Sequence, residues 1–151
     1  MQHAIVELNQ VNASIGAGKV VALISFDIDG TLEIGDPPGI ITIDMVRQAR
    51  AHGYVIGSCS DRTLGMQTTL WAAQQIDPDF TVLKHRLSEV KTRFQAEVYY
   101  HIGDTHTDQF YATQAGFQFI WAEWEALRQT GPAVLWSMKR YPQAVVQNPG
   151  S

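Results

Sequence analysis

The sequence predicts an α/β domain in three layers, a Rossmann-like parallel sheet of about five strands with helices on both faces. Three observations carry this. The run Val20-Val21-Ala22-Leu23-Ile24-Ser25-Phe26 is apolar almost throughout rather than alternating, as a strand buried on both faces requires. Four more short apolar segments follow, separated by stretches of helical length. Strands alternating with helices join in parallel through crossovers, which places helices over the sheet. The 151 residues are 45% hydrophobic, enough for one domain with its own core.

Strand one covers about 20–27. Ahead of it, residues 3–14 read as a short helix or strand before Gly16-Ala17-Gly18. Gly18-Lys19 hints at a phosphate loop, but that pattern needs Gly at 13 and Ser or Thr at 20. Ala13 and Val20 stand there. Residues 32–42 hold Gly35, Pro37, Pro38 and Gly39, a turn-rich loop or small hairpin. A helix runs from about Asp44 to His52, capped by Thr42 or Asp44 and stopped at Gly53. Strand two is 54–59. Thr63 to Gln75 reads as a helix burying Leu64, Met66, Leu70 and Trp71. Strand three, 80–83, leads into a helix of about ten residues starting at Lys84. Strand four, 98–102, a helix bearing Asp108, and strand five, 117–120, complete the set. Residues 122–129 read as a helix broken by Gly131-Pro132, and 134–138 as a short apolar piece. The single domain spans 1–151, with 131–151 as a looser tail whose last residues, 147–151, read as frayed.

The chemistry concentrates where strands end. Strand one closes on Asp27-Ile28-Asp29-Gly30-Thr31. In an extended strand, i and i+2 point the same way, and open α/β sheets bind ligands at these ends. Two such carboxylates repel one another without a cation or a shared proton. A calcium loop is excluded, because its twelfth position must be Glu and here is Pro38. Strand two closes on Ser60-Asp61-Arg62, where the Ser60 hydroxyl could donate to an anion; the competing Ser58 lies inside the apolar run. Strand four closes on Gly103-Asp104-Thr105-His106-Thr107-Asp108. Asp108 falls one helical turn beyond Asp104. Asp27, Asp104 and Asp108 together suit a small hard cation.

These segments resemble, in order, the motifs of the haloacid dehalogenase superfamily, in its DxDGT phosphatase branch. The resemblance implies strand order 5-4-1-2-3. It makes Asp27 the nucleophile that forms an aspartyl-phosphate. Asp29 becomes the acid and base on the leaving group. Mg²⁺ would be held by Asp27, Asp104, the backbone carbonyl of Asp29, and Asp108 directly or through water. Ser60, Lys84 and Gly30 would bind the phosphoryl group, with Thr31 supporting the loop. The family's lysine usually starts the helix after strand three, which favours Lys84 over Lys91. The gaps 30–59 and 61–83 hold only one loop, two helices and strands two and three, so the chain resembles a small uncapped member. The implied activity is hydrolysis of a phosphomonoester on a small metabolite. The alternatives are a macromolecular substrate, such as a protein or nucleic-acid end, and a non-catalytic scaffold or regulatory protein of the same fold.

Composition narrows the partners. Net charge is -4 and the pI about 5.6, which gives no electrostatic footprint for nucleic acid. An anionic substrate remains compatible, since a metal reverses the local sign. The single Cys59 excludes an intrachain disulfide and reads as a small buried hydrophobe. No apolar run reaches the roughly 18 residues of a membrane span. The N-terminal residues lack the pattern of a signal peptide, so a cytoplasmic protein is expected. Trp121, Trp124, Trp136 and Tyr141 crowd together near the end. They either pack a C-terminal helix onto the sheet or form a homo-oligomer contact.

Overall fold

A computed structural model describes residues 21–140. The expectations for 3–14, for Gly18-Lys19, for Tyr141 and for 147–151 lie outside the described residues.

Five parallel strands form one sheet in the order β3-β2-β1-β4-β5, which is the expected order with strand one central. They are β1 (Ala22–Phe26), β2 (Val55–Ser60), β3 (Phe80–Leu83), β4 (Val98–Gly103) and β5 (Gln118–Trp121). Alternation along the strands divides the core between two faces. Ala22, Ile24 and Phe26 of β1 join Ile56, Tyr100, Ile102 and Ile120 on one face. Leu23 joins Val55, Cys59, Phe80 and Val82 on the other.

The first face is covered by α1 (Ile43–Ala51), α2 (Leu64–Ala73) and α5 (Trp124–Arg128). Thr42 caps α1, its side chain accepting from the Met45 N–H, and Gly53 follows the helix at φ 91°, a left-handed conformation that suits glycine. The second face is covered by a 3₁₀ segment (Lys84–Glu89), a single turn α3 (Val90–Arg93), and α4 (His106–Gln114).

Two local expectations are corrected. In α2, Leu64 and Met66 are exposed, and the inward positions are Gln67 and Trp71. Gln67 can occupy the interior because its amide is fully bonded. It donates to the Arg62 and Val82 carbonyls and accepts from Ser58 Oγ. Trp71 donates its indole N–H to the same Ser58 oxygen. The ten residues from Lys84 are not one helix either. The chain leaves helical geometry at Arg86 (φ -117°, ψ 17°), just before Leu87 and Val90, which both reach the core.

The segment after β1 is a compact loop, closed by the Leu32–Ile41 bridge and by Gly30 N–H donating to the Pro37 carbonyl. A Cβ at Gly39 would collide with the Thr31 backbone. No large inserted cap occurs among the described residues. Near the C-terminus, buried Trp136 donates to the Met45 carbonyl and ties the tail to α1. Trp121 meets His106 and Phe119 edge-on, while Trp124 is exposed. Among the described residues, no helix is long and apolar enough to cross a membrane.

Candidate functional site

The site lies at the C-terminal ends of the three inner strands and β3. β1 presents Asp27, β2 ends on Ser60, Lys84 follows β3, and Asp104 follows β4. One carboxylate oxygen each from Asp27, Asp104 and Asp108 lies within 4.8 Å of the others. Gly30 makes the approach possible. Its φ is 76°, and a Cβ there would land on the Asp104 carboxylate.

The three acids are not equivalent. Asp27 is buried, with its carboxyl in hydrogen-bond reach of Asp104. Burial first, and the Asp108 charge second, push its pKa well above the usual carboxylate value, against the pull of Lys84 and the Ile28 N–H. Unaided, Asp27 therefore keeps a proton. Asp104 Oδ1 is buried and has no hydrogen-bond partner among the described residues, a state that costs free energy unless something occupies it. Asp108 is already satisfied. Its Oδ2 accepts from Thr105 Oγ1 (2.8 Å), the Thr105 N–H (3.2 Å) and the Asp104 N–H (3.3 Å). Its Oδ1 lies 3.3 Å from both Lys84 Nζ and His101 Nε2. Burial opposes ionisation of Asp108, but bonding and charge from His101, with Lys84 and Thr105, hold its pKa below the usual range. Asp27 and Asp104 are thus the acids with oxygens to offer a cation, while Asp108 fixes the loop as the N3 partner of the Thr105 cap. An all-oxygen set with one orphaned oxygen fits a small hard cation.

Lys84 lies at this centre. Its Nζ is 3.8 Å from Asp27, 3.4 Å from Asp61 and 3.3 Å from Asp108. Burial works against its charge, but those three carboxylates outweigh it and raise its pKa. Lys91 is elsewhere, bonded to the Gly116 carbonyl and lying over the Tyr99 ring. Ser60 Oγ accepts from the Arg62 N–H at 3.0 Å, which leaves its O–H to donate. Ser58, by contrast, is consumed by Gln67 and Trp71. Thr31 holds the loop through its backbone carbonyl, which accepts from Ile41 N–H, and its hydroxyl is buried without a partner among the described residues.

Asp29 stands apart from this cluster. Arg62 grips it in a fork, Nε at 3.1 and 3.2 Å and Nη2 at 2.8 Å, and the Asp36 N–H adds a bond of 2.8 Å. The Arg62 bonds hold its carboxyl below the usual range.

Sequence reading missed Arg62, His101 and Ser25. The last two are polar residues inside apolar strands. They face each other in register, with Nδ1 of His101 2.9 Å from Ser25 Oγ. Two polar residues in adjacent buried strands were the available signal. No protein-family model matches the chain, and no curated protein matches it.

Proposed function

We propose that the protein is a Mg²⁺-dependent phosphomonoesterase of the haloacid dehalogenase type, acting on a small phosphorylated metabolite through an aspartyl-phosphate on Asp27. The observation that carries this reading is the convergence of Asp27, Ser60, Lys84 and Asp104 from four strand ends around a buried, unpartnered Asp104 oxygen.

Mg²⁺ would sit on Asp27 and Asp104, with the Asp29 backbone carbonyl nearby in sequence. When bound, it would neutralise the charge that otherwise keeps Asp27 protonated and that sets carboxylate against phosphoryl oxygens. The remaining steps belong to the chain. Ionised Asp27 attacks phosphorus, and the ester P–O bond breaks. Asp29, once parted from Arg62 and protonated from solvent, gives that proton to the departing oxygen. Water then attacks phosphorus, its proton passes to Asp29, and the Asp27–phosphorus bond breaks to release phosphate. Lys84 and the Ser60 O–H hold the transferring oxygens where negative charge develops. His101 and Thr105 keep Asp108 fixed, and with it the Asp104 loop.

The test is Mg²⁺-dependent hydrolysis of p-nitrophenyl phosphate and of a panel of phosphometabolites, by wild type and by Asp27→Asn. Turnover that needs Mg²⁺ and disappears in a folded Asp27→Asn protein is expected. No turnover on any member, or full turnover by the variant, overturns the proposal. The absence of a large cap among the described residues favours one further arm, phosphorylated peptides and oligonucleotide ends, because an uncapped site would be open to large substrates.

A further inference from the structure

A cavity of about 170 Å³ is lined by α1, the start of β2 and the turn that follows α2. Val46, Ile56 and Ile76 give it an apolar wall, and Arg47, Arg50 and Gln75 give it polar groups. Ile56 is the second residue of β2 and Ser60 the last. At about 3.3 Å per residue, about 13 Å of buried strand separates the cavity from the candidate site. The space suits a small organic ligand rather than a lone water. An apolar lining with a few polar groups is the usual make-up of a ligand pocket.

The fold does not consume the two guanidiniums. Arg47 Nη2 donates to the Gln74 carbonyl at 2.8 Å, which leaves its other N–H groups without a partner among the described residues. Arg50 Nη2 lies 3.3 Å from Asp79 Oδ2, an oxygen that also accepts from the Ile56 N–H at 2.9 Å. Two positive charges thus meet the single carboxylate of Asp79. The cavity is locally cationic in a chain of net charge -4.

A strained backbone position points the same way. Gly53 (φ 91°) follows α1 and Gly116 (φ 79°) follows α4. The end of α2 has the same kind of turn, with the Gln75 N–H donating to the Ala72 carbonyl and the Ile76 N–H to the Trp71 carbonyl. Yet its left-handed position holds Gln75, at φ 58°. Glycine takes this conformation freely, and glutamine only at a cost. The Gln75 amide makes no hydrogen bond among the described residues, so no described partner offsets that cost. A polar ligand in the cavity would offset it.

We propose that this cavity is a second ligand site, separate from the phosphoryl centre, for a small aliphatic carboxylate. The carboxylate meets the unused N–H groups of Arg47 and Arg50 and the Gln75 amide. A tail of about three to five carbons lies on Val46, Ile56 and Ile76. A monoanion matches the one positive charge that Asp79 leaves over. The proposal does not rest on the phosphatase reading.

The experiment titrates the ¹⁵N-labelled whole chain with butyrate, isovalerate and hexanoate, and with the corresponding amides, following backbone shifts by NMR. With at least one carboxylate we expect saturable shifts centred on Arg47, Ile56, Gln75 and Ile76. The Kd should be about 1 mM or tighter, and about ten-fold weaker for the matching amide. Arg47→Gln and Arg50→Gln should each weaken binding about five-fold or more. Gln75→Gly should raise Tm, because the strain is gone, and still weaken binding. That variant keeps the test decisive where an arginine variant fails to fold. Four results would each overturn the proposal: no saturable shift by about 50 mM carboxylate, equal binding of acid and amide, shifts centred on Ser60 and Lys84 instead, or unchanged affinity in the folded variants.

Discussion

Removing the charge of Asp27 should make the metal-free protein more stable while destroying its activity. Asp27 is 3% exposed and has two acids as neighbours, all three offering oxygens within 4.8 Å of one another. Lys84 Nζ, at 3.8 Å, is its one counter-charge among the described residues. At an effective dielectric of about 20, each like-charge contact at that separation costs about 3.5 kcal/mol and the lysine offsets about 4 kcal/mol. About 3 kcal/mol stands against ionisation before any penalty for burial. The folded protein escapes by keeping the proton, as the raised pKa of Asp27 indicates. The sign follows from linkage. Above the ordinary carboxylate value of 3.8, the unfolded chain releases this proton and the folded one keeps it, so the native state loses about 1.4 kcal/mol per pH unit. Asp108 works in the opposite direction and in another window, its contribution fading below 3.8 as it protonates. Asp27→Asn is isosteric and uncharged. In EDTA at pH 7.5 that slope gives a gain of about 5 kcal/mol over wild type, or about 10–20 °C in Tm for a chain of this size. The gain should vanish near pH 4. Saturating Mg²⁺ should narrow the gap, since wild type gains about 2.7 kcal/mol at 100 times Kd and the amide is the poorer ligand. Thermal melts of both proteins across pH 4–8 decide it. A variant less stable than wild type in EDTA at pH 7.5, or a gain that does not grow with pH, refutes the reasoning.

Three further outcomes are expected. EDTA should abolish hydrolysis and Mg²⁺ restore it, with Ca²⁺ a poor substitute because it expands the coordination shell; activity in EDTA equal to that in Mg²⁺ contradicts this. Lys84→Met leaves Asp27 and Asp108 without their buried cation and should cost about 3–5 kcal/mol in urea unfolding at neutral pH, where the raised pKa keeps Lys84 charged. Its exposed contact with Asp61 adds little, so Asp61→Asn should shift stability by less than about 1 kcal/mol in the same assay. Gly30→Ala places a Cβ in the left-handed region and on Asp104. It should cost about 1–3 kcal/mol and weaken Mg²⁺ binding by calorimetry; unchanged affinity would mean that Asp104 is not a ligand.

What the sequence made legible depends on what periodicity can encode. Strand positions and the loop after β1 follow from runs of apolar residues and from glycine and proline placement, which act over a few residues; the strand order was implied by the family resemblance, and the sheet has it. The strand ends follow too, and with them the positions of Asp27, Ser60, Lys84 and Asp104. The inner face of α2 was misread because Gln67 counts as polar in a pattern and as buried in the structure. Its carbonyl and amide are met by Ser58, Arg62 and Val82, partners that a helical period does not show. The break at Arg86 was equally hidden, since the ten residues after β3 contain no glycine or proline to announce it.

The division of labour among the acids was the least legible part, for the same reason. Asp27, Asp29, Asp104 and Asp108 look alike in sequence, and each is distinguished by what reaches it from elsewhere. Asp108 is filled by Thr105, His101 and Lys84, and Asp104 is left with an open oxygen. Asp29 is gripped by a residue 33 positions away. That last contact separates position from readiness. A DxD pair at a strand end fixes where two carboxylates stand, but whether the second can carry a proton depends on the guanidinium opposite.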